Sequence, residues 1–309
     1  MLQITKVGGR LLTRVESNVK EGSSCSAAFV YCHGFPDASV TPDALEEWGR
    51  QPQLQPEHGF WASRFPRKLC EHVLAKFGDV AFLAFNSRGI PGSGDGAPHA
   101  RVEDPPPEFE AKTLTGDMED IASVVQFAAE QLPGAKLFLC GMSTGAFLSL
   151  AFVARPDLHP LGGVAGCFVL ACVADIPSSA ALDFSPEQLE SFADKGYCLK
   201  EFFPFGGAEN PQYWRLGRAY LDSYAAFPDA RALGASLCVP VLLLHGEDDR
   251  HVPPEHGDAL HGALQPARGA AVELVRVRKG NHFLSANGAL RAALAAVSAF
   301  LVRAGLAPL

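Results

Sequence analysis

Lys136-Leu-Phe-Leu-Cys-Gly-Met-Ser-Thr-Gly145, continued by Ala-Phe-Leu-Ser-Leu-Ala-Phe-Val, is the stretch on which the reading of this chain turns. The short apolar run from Leu137 to Cys140 reads as a buried strand. It passes without a spacer into Gly141-Met142-Ser143-Thr144-Gly145 and then into an apolar pattern compatible with a helix. Strand, G-x-S-x-G turn and helix in direct succession are the setting of a nucleophilic serine. Its backbone is strained there, and small neighbours let strand and helix approach. Such a turn aims the hydroxyl outward and leaves the next amides at a helix N-terminus, where they stabilise negative charge. A glycine-rich connection with no chemistry is the alternative, and the remainder of the chain must decide between them.

Working outward, the sequence alternates strands with helices. Residues 2–16 alternate on either side of Gly8-Gly9 and predict a hairpin. Ser26–Cys32 predicts a strand ending at His33-Gly34-Phe35-Pro36, and residues 37–61 a long polar loop. A helix is expected from about Ala62 to Phe77, a strand over Asp79–Phe85, and a Gly/Pro-rich loop from Asn86 to Pro107. A helix over Asp117–Leu132 and a sixth strand over Gly163–Val173 flank the serine turn and its helix. After residue 235 the rhythm resumes, with strands at Val239–Leu244 and Ala271–Val277 and helices near Pro254–Leu264 and Ala286–Ala304. Alternation of this kind implies a mostly parallel sheet with helices on both faces. Residues 174–235 break the rhythm with helical stretches dense in aromatics, so the chain divides into a core of 1–173 and 236–309 and a cap insertion of 174–235.

Composition narrows the classes. The 309 residues are 48% hydrophobic and 19% charged, enough for one large core. A net charge of −8 with no Lys/Arg cluster argues against nucleic acid or an anionic membrane as partner. No apolar run approaches the ~20 residues of a membrane span, and the N-terminus carries no secretory signal pattern. Of eight cysteines, Cys32, Cys140, Cys167, Cys172 and Cys238 lie in or beside strand-like runs, which predicts reduced core residues of a cytosolic protein. No cysteine or histidine spacing suits a metal, and the expectation is no metal and no cofactor.

Two further strand ends supply what Ser143 lacks. Leu242-Leu-Leu-His-Gly-Glu-Asp-Asp-Arg-His-Val-Pro253 sets an acidic cluster, Glu247, Asp248 and Asp249, beyond a buried strand. Arg278-Lys-Gly-Asn-His-Phe283 sets His282 beyond the last strand. A serine hydroxyl is a weak nucleophile near neutral pH, so an imidazole must take its proton and a buried carboxylate must fix that imidazole's tautomer. In a parallel sheet the C-terminal strand ends open on one crevice, where distant residues meet. Ser149 falls inside the helix after the turn, buried or distant. Among other histidines, His245 and His251 flank the acid, and His256 and His261 fall at solvated helix positions.

In the order serine, acid, histidine the chain resembles serine hydrolases of the α/β-hydrolase superfamily over nearly its whole length. His33-Gly34-Phe35 is similar to the oxyanion loop, with His33 as its shaping histidine, and Gly141–Gly145 to the nucleophile turn. Gly246-x-x-Asp249-x-x-Val252-Pro253 is similar to the acid loop, and its spacing selects Asp249 over Asp248; Gly280-Asn-His-Phe283 is similar to the histidine loop. Phe85-Asn-x-Arg-Gly89 with a short cap resembles the feruloyl/cinnamoyl-esterase and monoacylglycerol-lipase-like branches. Met142, where many relatives carry histidine, and the long loop at 37–61 depart from the pattern. The resemblance implies the α/β-hydrolase fold, with Ser143, His282 and Asp249 as the catalytic triad and the backbone N–H groups of Phe35 and Thr144 as oxyanion donors. It implies hydrolysis of a small-molecule carboxylic ester; the aromatic cap suggests an apolar acyl or aryl group, whether its rings line the acyl pocket or simply pack on one another. A thioesterase or small-peptide hydrolase would use the same residues, and a fold that lost its triad would serve as a binding scaffold. Arg88 either binds a substrate carboxylate or braces its loop. No individual substrate-binding residue and no oligomeric state follows from the sequence.

Overall fold

A computed structural model of the chain describes residues 1–41, 44, 60–94, 107–202, 212–264 and 270–309. Most of the long loop expected at 37–61 and the centre of the Gly/Pro-rich segment at 86–107 lie outside the described residues, as do Phe203 and Phe205 of the expected cap.

Eight strands form one sheet: β1 (Leu2–Val7), β2 (Leu11–Ser17), β3 (Ala27–Cys32), β4 (Val80–Phe85), β5 (Lys136–Met142), β6 (Gly166–Leu170), β9 (Val241–Gly246) and β10 (Val272–Val277). Their order across the sheet is β1-β2-β4-β3-β5-β6-β9-β10. β1 and β2 pair antiparallel around the Gly8-Gly9 turn, β2 pairs antiparallel with β4, and every later pairing is parallel. β3, β4, β5, β6 and β9 are buried almost without interruption and rich in Val, Leu and Phe, as strands covered on both faces must be.

Two separate cores follow from that double burial. On one face, Val30, Leu83 and Leu139 pack with residues of helices α3 (Leu114–Gln131), α4 (Thr144–Val153) and α9 (Glu255–Ala263). On the other, Phe29, Phe82, Phe138 and Phe168 pack with α1 (Arg64–Lys76) and α10 (Asn287–Arg303). There the Phe29 and Phe138 rings stack with centroids 5.4 Å apart, an arrangement that contributes about 1 kcal/mol beyond its buried area. α4 is buried on every side, which is why its sequence shows no polar stripe. Thr113 caps α3, its side chain accepting from the Gly116 N–H at 3.0 Å.

Residues between β6 and β9 contain α5 (Ala180–Asp183), α6 (Pro186–Lys195), an antiparallel pair β7 (Tyr197–Phe202) and β8 (Gln212–Gly217), α7 (Arg218–Asp222) and α8 (Ala230–Ser236). The β7–β8 pair forms a sheet of its own, whereas the sequence reading anticipated only helical pieces here. A four-residue helix α2 (Pro107–Glu110) reaches this region, Phe109 meeting Trp214 edge to face at 5.0 Å.

The eight cysteines are free thiols and seven are buried, Cys32, Cys140, Cys167 and Cys172 among them as expected. Cys238 corrects that reading: it is exposed, because its apolar neighbours belong to the approach to β9 rather than to the strand. Among the described residues no helix is long and apolar enough to cross a membrane.

Candidate active site

The strand registers bring the expected functional segments to one end of the sheet. Cys32 lies opposite Gly141, Leu170 opposite Leu244, and Gly246 opposite Val277, so the loops leaving β3, β5, β9 and β10 emerge together.

Ser143 sits between β5 and α4 with φ 55° and ψ −124°, a conformation that costs a non-glycine residue roughly 1–3 kcal/mol and persists only when neighbours enforce it. The enforcement is visible. A Cβ at Gly145 would lie 2.3 Å from the carbonyl oxygens of both Cys32 and His33, so only glycine lets the turn and the β3 loop touch. Gly34 also approaches closely, since a Cβ there would meet the Ser143 Cβ at 3.2 Å. Met142 is buried in the aromatic core and borders the cavity that Ser143 lines.

Asp249 and His282 meet. Asp249 Oδ2 lies 2.8 Å from His282 Nδ1, and Asp249 Oδ1 accepts from the backbone N–H groups of His251 and Val252, both at 2.9 Å. Both side chains are buried, Asp249 at 4% and His282 at 6% exposure. Burial pushes the Asp249 carboxyl up, but the His282 hydrogen bond and charge and the two amides outweigh it, and the net shift is downward. An ionised Asp249 requires the proton of His282 on Nδ1, which leaves Nε2 as the basic nitrogen. Asp248, the rival, is exposed, and its N–H donates to the Gly280 carbonyl. The acid and histidine loops touch at Gly246, where a Cβ would fall 2.2 Å from the Gly280 oxygen.

The other histidines separate cleanly. Buried His245 donates from Nε2 to the Val252 carbonyl at 2.9 Å and so braces the acid loop, and burial lowers its pKa. Its Nε2 is 3.7 Å from Asp249 Oδ2, too far to compete with His282. His251 packs its ring 5.1 Å from that of His282. His256 accepts from the Ala174 N–H at 3.2 Å and His261 lies on the surface. Ser149 is buried and donates to the Gly145 carbonyl at 2.7 Å, away from any imidazole. His33 carries no free nitrogen either: Nδ1 is 2.8 Å from the Gly34 carbonyl and Nε2 accepts from the Ser87 N–H at 3.0 Å.

Ser143 and His282 line one cavity of about 670 Å³, together with Gly34, Phe35 and Thr144. Among the described residues neither the Phe35 nor the Thr144 N–H donates to a protein acceptor, and the Ser143 hydroxyl likewise makes no hydrogen bond. Apolar walls come from Val173, Ile176, Leu182, Val252 and Phe283, and polar ones from Asp37, Asp183, Gln188, Lys200 and Glu201. Burial pushes the Asp37 carboxyl up to about 6, against the Ala38 N–H and the nearby His282, which hold it down. Burial also raises Asp183, whose carboxylate accepts from the Tyr224 hydroxyl at 2.6 Å, and lowers Lys200.

The described aromatics of 174–235 do not line the cavity. Phe184, Phe192, Trp214, Tyr220, Tyr224 and Phe227 are buried in the core, and the described residues of this segment that face the cavity beyond Ile176 are Leu182, Asp183, Gln188, Lys200 and Glu201. Their polarity was invisible in a count of rings. Arg88 braces its loop: its Nε and Nη2 reach Asp120 Oδ1 at 2.9 and 2.7 Å, and Glu119 adds a contact at 3.0 Å. Among the described residues no group of three His, Cys, Asp or Glu side chains is placed to hold a metal ion.

Comparison with known proteins agrees with this architecture. The model of the prolyl oligopeptidase family matches residues 197–305, the part that carries Asp249 and His282. No curated protein matches the chain by sequence. Among solved structures, Est1E from Butyrivibrio proteoclasticus, also solved with ferulic acid bound, superposes with a TM-score of 0.62 at 17% identity over 98% of each chain. A puromycin-hydrolyzing peptidase of Mycobacterium tuberculosis gives a TM-score of 0.66 at 16% identity, covering 99% of this chain and 40% of the peptidase. The esterase domain of a Rhodothermus marinus protein gives 0.60 at 14% identity over 98% of each. The chain therefore has the α/β-hydrolase fold.

Proposed function

We propose that the chain is a serine hydrolase that cleaves carboxylic esters through an acyl-enzyme, with Ser143 as nucleophile, His282 as base and Asp249 as its orienting acid. The observation that carries this is the buried 2.8 Å contact between Asp249 and His282 Nδ1 beside a cavity shared with the strained Ser143. Ser143 Oγ gives its proton to His282 Nε2 and attacks the carbonyl carbon. The oxyanion that forms takes hydrogen bonds from the Phe35 and Thr144 N–H groups, which among the described residues have no protein acceptor to give up. Collapse expels the alcohol, which leaves with the proton from His282. Water, deprotonated by the same imidazole, then attacks the acyl-enzyme and releases the acid. Residues 174–235 act as a cap that selects substrate from the far side of the cavity, and its mixed lining suits an acyl or aryl group that also carries a polar atom. The buried free thiols support residence in a reducing compartment such as the cytosol.

A second reading has its own support: the family match over 197–305 favours a small-peptide hydrolase using the same residues. One set of assays tests both. A fluorophosphonate probe should label the chain at Ser143 alone. p-Nitrophenyl esters, a feruloyl ester, an acyl thioester and peptide p-nitroanilides should then rank the leaving groups, with esters first. Ser143→Ala and His282→Ala should each lower kcat by roughly 10⁴-fold or more, and the double variant should be little worse, since the residues act as a unit. Labelling at another serine, or normal turnover by folded Ser143→Ala, refutes the assignment.

A further inference from the structure

A chain of buried hydrogen bonds runs behind the oxyanion loop and ends on one particular peptide group. Lys112, 1% exposed, pairs through Nζ with Asp117 Oδ1 and donates to the Arg88 carbonyl at 2.7 Å. The same ammonium donates to Ser87 Oγ at 2.8 Å. Ser87 Oγ is in turn 3.2 Å from His33 Nε2. That nitrogen already accepts from the Ser87 N–H at 3.0 Å, so it is unprotonated and shares its lone pair between the two donors. The His33 proton is therefore on Nδ1 and is given to the Gly34 carbonyl at 2.8 Å. The donors all point one way, from a cation to a carbonyl.

The terminus matters because the Gly34 carbonyl and the Phe35 N–H are the two ends of one planar peptide unit. Drawing electron density toward that oxygen makes the N–H a stronger donor, and hydrogen bonds in series polarise one another. The second lone pair of the Gly34 oxygen takes the Asp37 N–H at 2.9 Å, so the carbonyl is held from two directions. A void of about 20 Å³ lies beside this peptide, lined by His33, Phe35, Ser87, Asp117, Thr144 and Gly145 among others.

We propose that Lys112, acting through Ser87 and His33, polarises and orients the Gly34–Phe35 peptide and so sets the strength of the Phe35 N–H as an oxyanion donor. The proposal rests on the reading of that amide given above. Lys112, Ser87 and His33 are positioning residues, since none reaches the substrate. The network also explains a lysine buried this deeply: its charge is matched by Asp117 and its remaining protons are spent on Arg88 and Ser87.

Two variants test it without leaving a buried charge unpaired. Ser87→Ala removes the link and keeps the Lys112–Asp117 pair, and K112M/D117N removes the pair together. Losing an oxyanion donor outright costs roughly 10²–10³ in kcat, and a change of about 10–30% in that bond's strength therefore corresponds to about two- to eightfold. The expected result is that fall in kcat with KM unchanged, a parallel weakening of a trifluoromethyl ketone that forms the tetrahedral adduct, and recovery in Ser87→Thr. Unchanged kcat and inhibitor affinity in both variants overturns the proposal. So does a loss that follows melting temperature while the ratio of inhibitor affinity to KM stays fixed, which marks a purely structural role. If the wild-type chain is not labelled at Ser143 by a fluorophosphonate, the underlying reading fails, and the relay falls with it for a distinguishable reason.

Discussion

Asp249→Asn replaces one oxygen with an NH₂ group at the same size, and the structure decides which way the amide must turn. One carboxylate oxygen receives two backbone N–H groups, from His251 and Val252, each at 2.9 Å. An NH₂ group placed there would face two donors, so the amide oxygen must take that side. The Nδ2 group then faces His282 Nδ1, now as a donor 2.8 Å away from a nitrogen that must accept. His282 is driven to the tautomer protonated on Nε2, which cannot take the Ser143 proton. The expected loss in kcat is about 10⁴-fold, or roughly 5.5 kcal/mol of transition-state stabilisation. Steady-state hydrolysis of p-nitrophenyl acetate measures it, with circular dichroism to confirm the fold and the ¹⁵N shifts of His282 to read the tautomer. Asp248→Asn, at an exposed side chain, is the control and should stay near wild type. An Asp249→Asn enzyme within tenfold of wild type, or an equal loss in Asp248→Asn, refutes the reasoning.

Burial raises the Asp37 carboxyl to about 6 against an ordinary value of 3.8, so the stability tied to it is full below the ordinary value and is lost as pH rises through about 6. Asp37→Asn, which stays neutral, should therefore gain melting temperature over wild type at about pH 7.5 and little at about pH 4; a gap that shrinks with rising pH contradicts the assignment. At the serine turn, Gly145→Ala would set a methyl group 2.3 Å from two backbone oxygens and should cost about 3 kcal/mol or more in urea unfolding, with loss of activity. Gly288→Ala, in the first turn of α10 with open space around it, should instead be neutral or stabilising by about 0.5–1 kcal/mol; similar effects at the two glycines would show that the close approach at Gly145 is not real.

The elements legible in the sequence are those whose signal is local. β5 and α4 announce themselves by an apolar run broken by two glycines, and Asp249 and His282 by their places just past apolar strands. Asp249 was separable from Asp248 only by spacing, and the structure adds why the difference matters, since one carboxylate is enclosed by amides and the other faces solvent. The β7–β8 pair went unread although buried Trp214 and Leu216 alternate with Tyr213 and Arg215; a period of two over six residues is faint in a segment crowded with rings. Lys112 could not be read at all. A lysine just before a capped helix looks solvated, and its partners Ser87 and Asp117 meet it only because the fold brings the loop after β4 beside the first turn of α3. Local patterns encode elements; burial of a charge depends on three segments at once.

The place of β6 in the sheet bears on how the protein is made. β6 is hydrogen-bonded to β5 on one side and to β9 on the other, yet 70 residues separate its end at Leu170 from the start of β9 at Val241. During synthesis at about 5–20 residues per second, that interval lasts about 4–14 s. Throughout it the strand Gly166-Cys-Phe-Val-Leu170 has an open, apolar edge bearing unpaired backbone groups, of the kind that pairs with other chains. Residues 171–240 are translated in that interval, so their arrival time governs how long a nascent molecule stays adhesive. Shortening or slowing the 171–240 segment would change the yield of soluble protein even where the finished structure is the same.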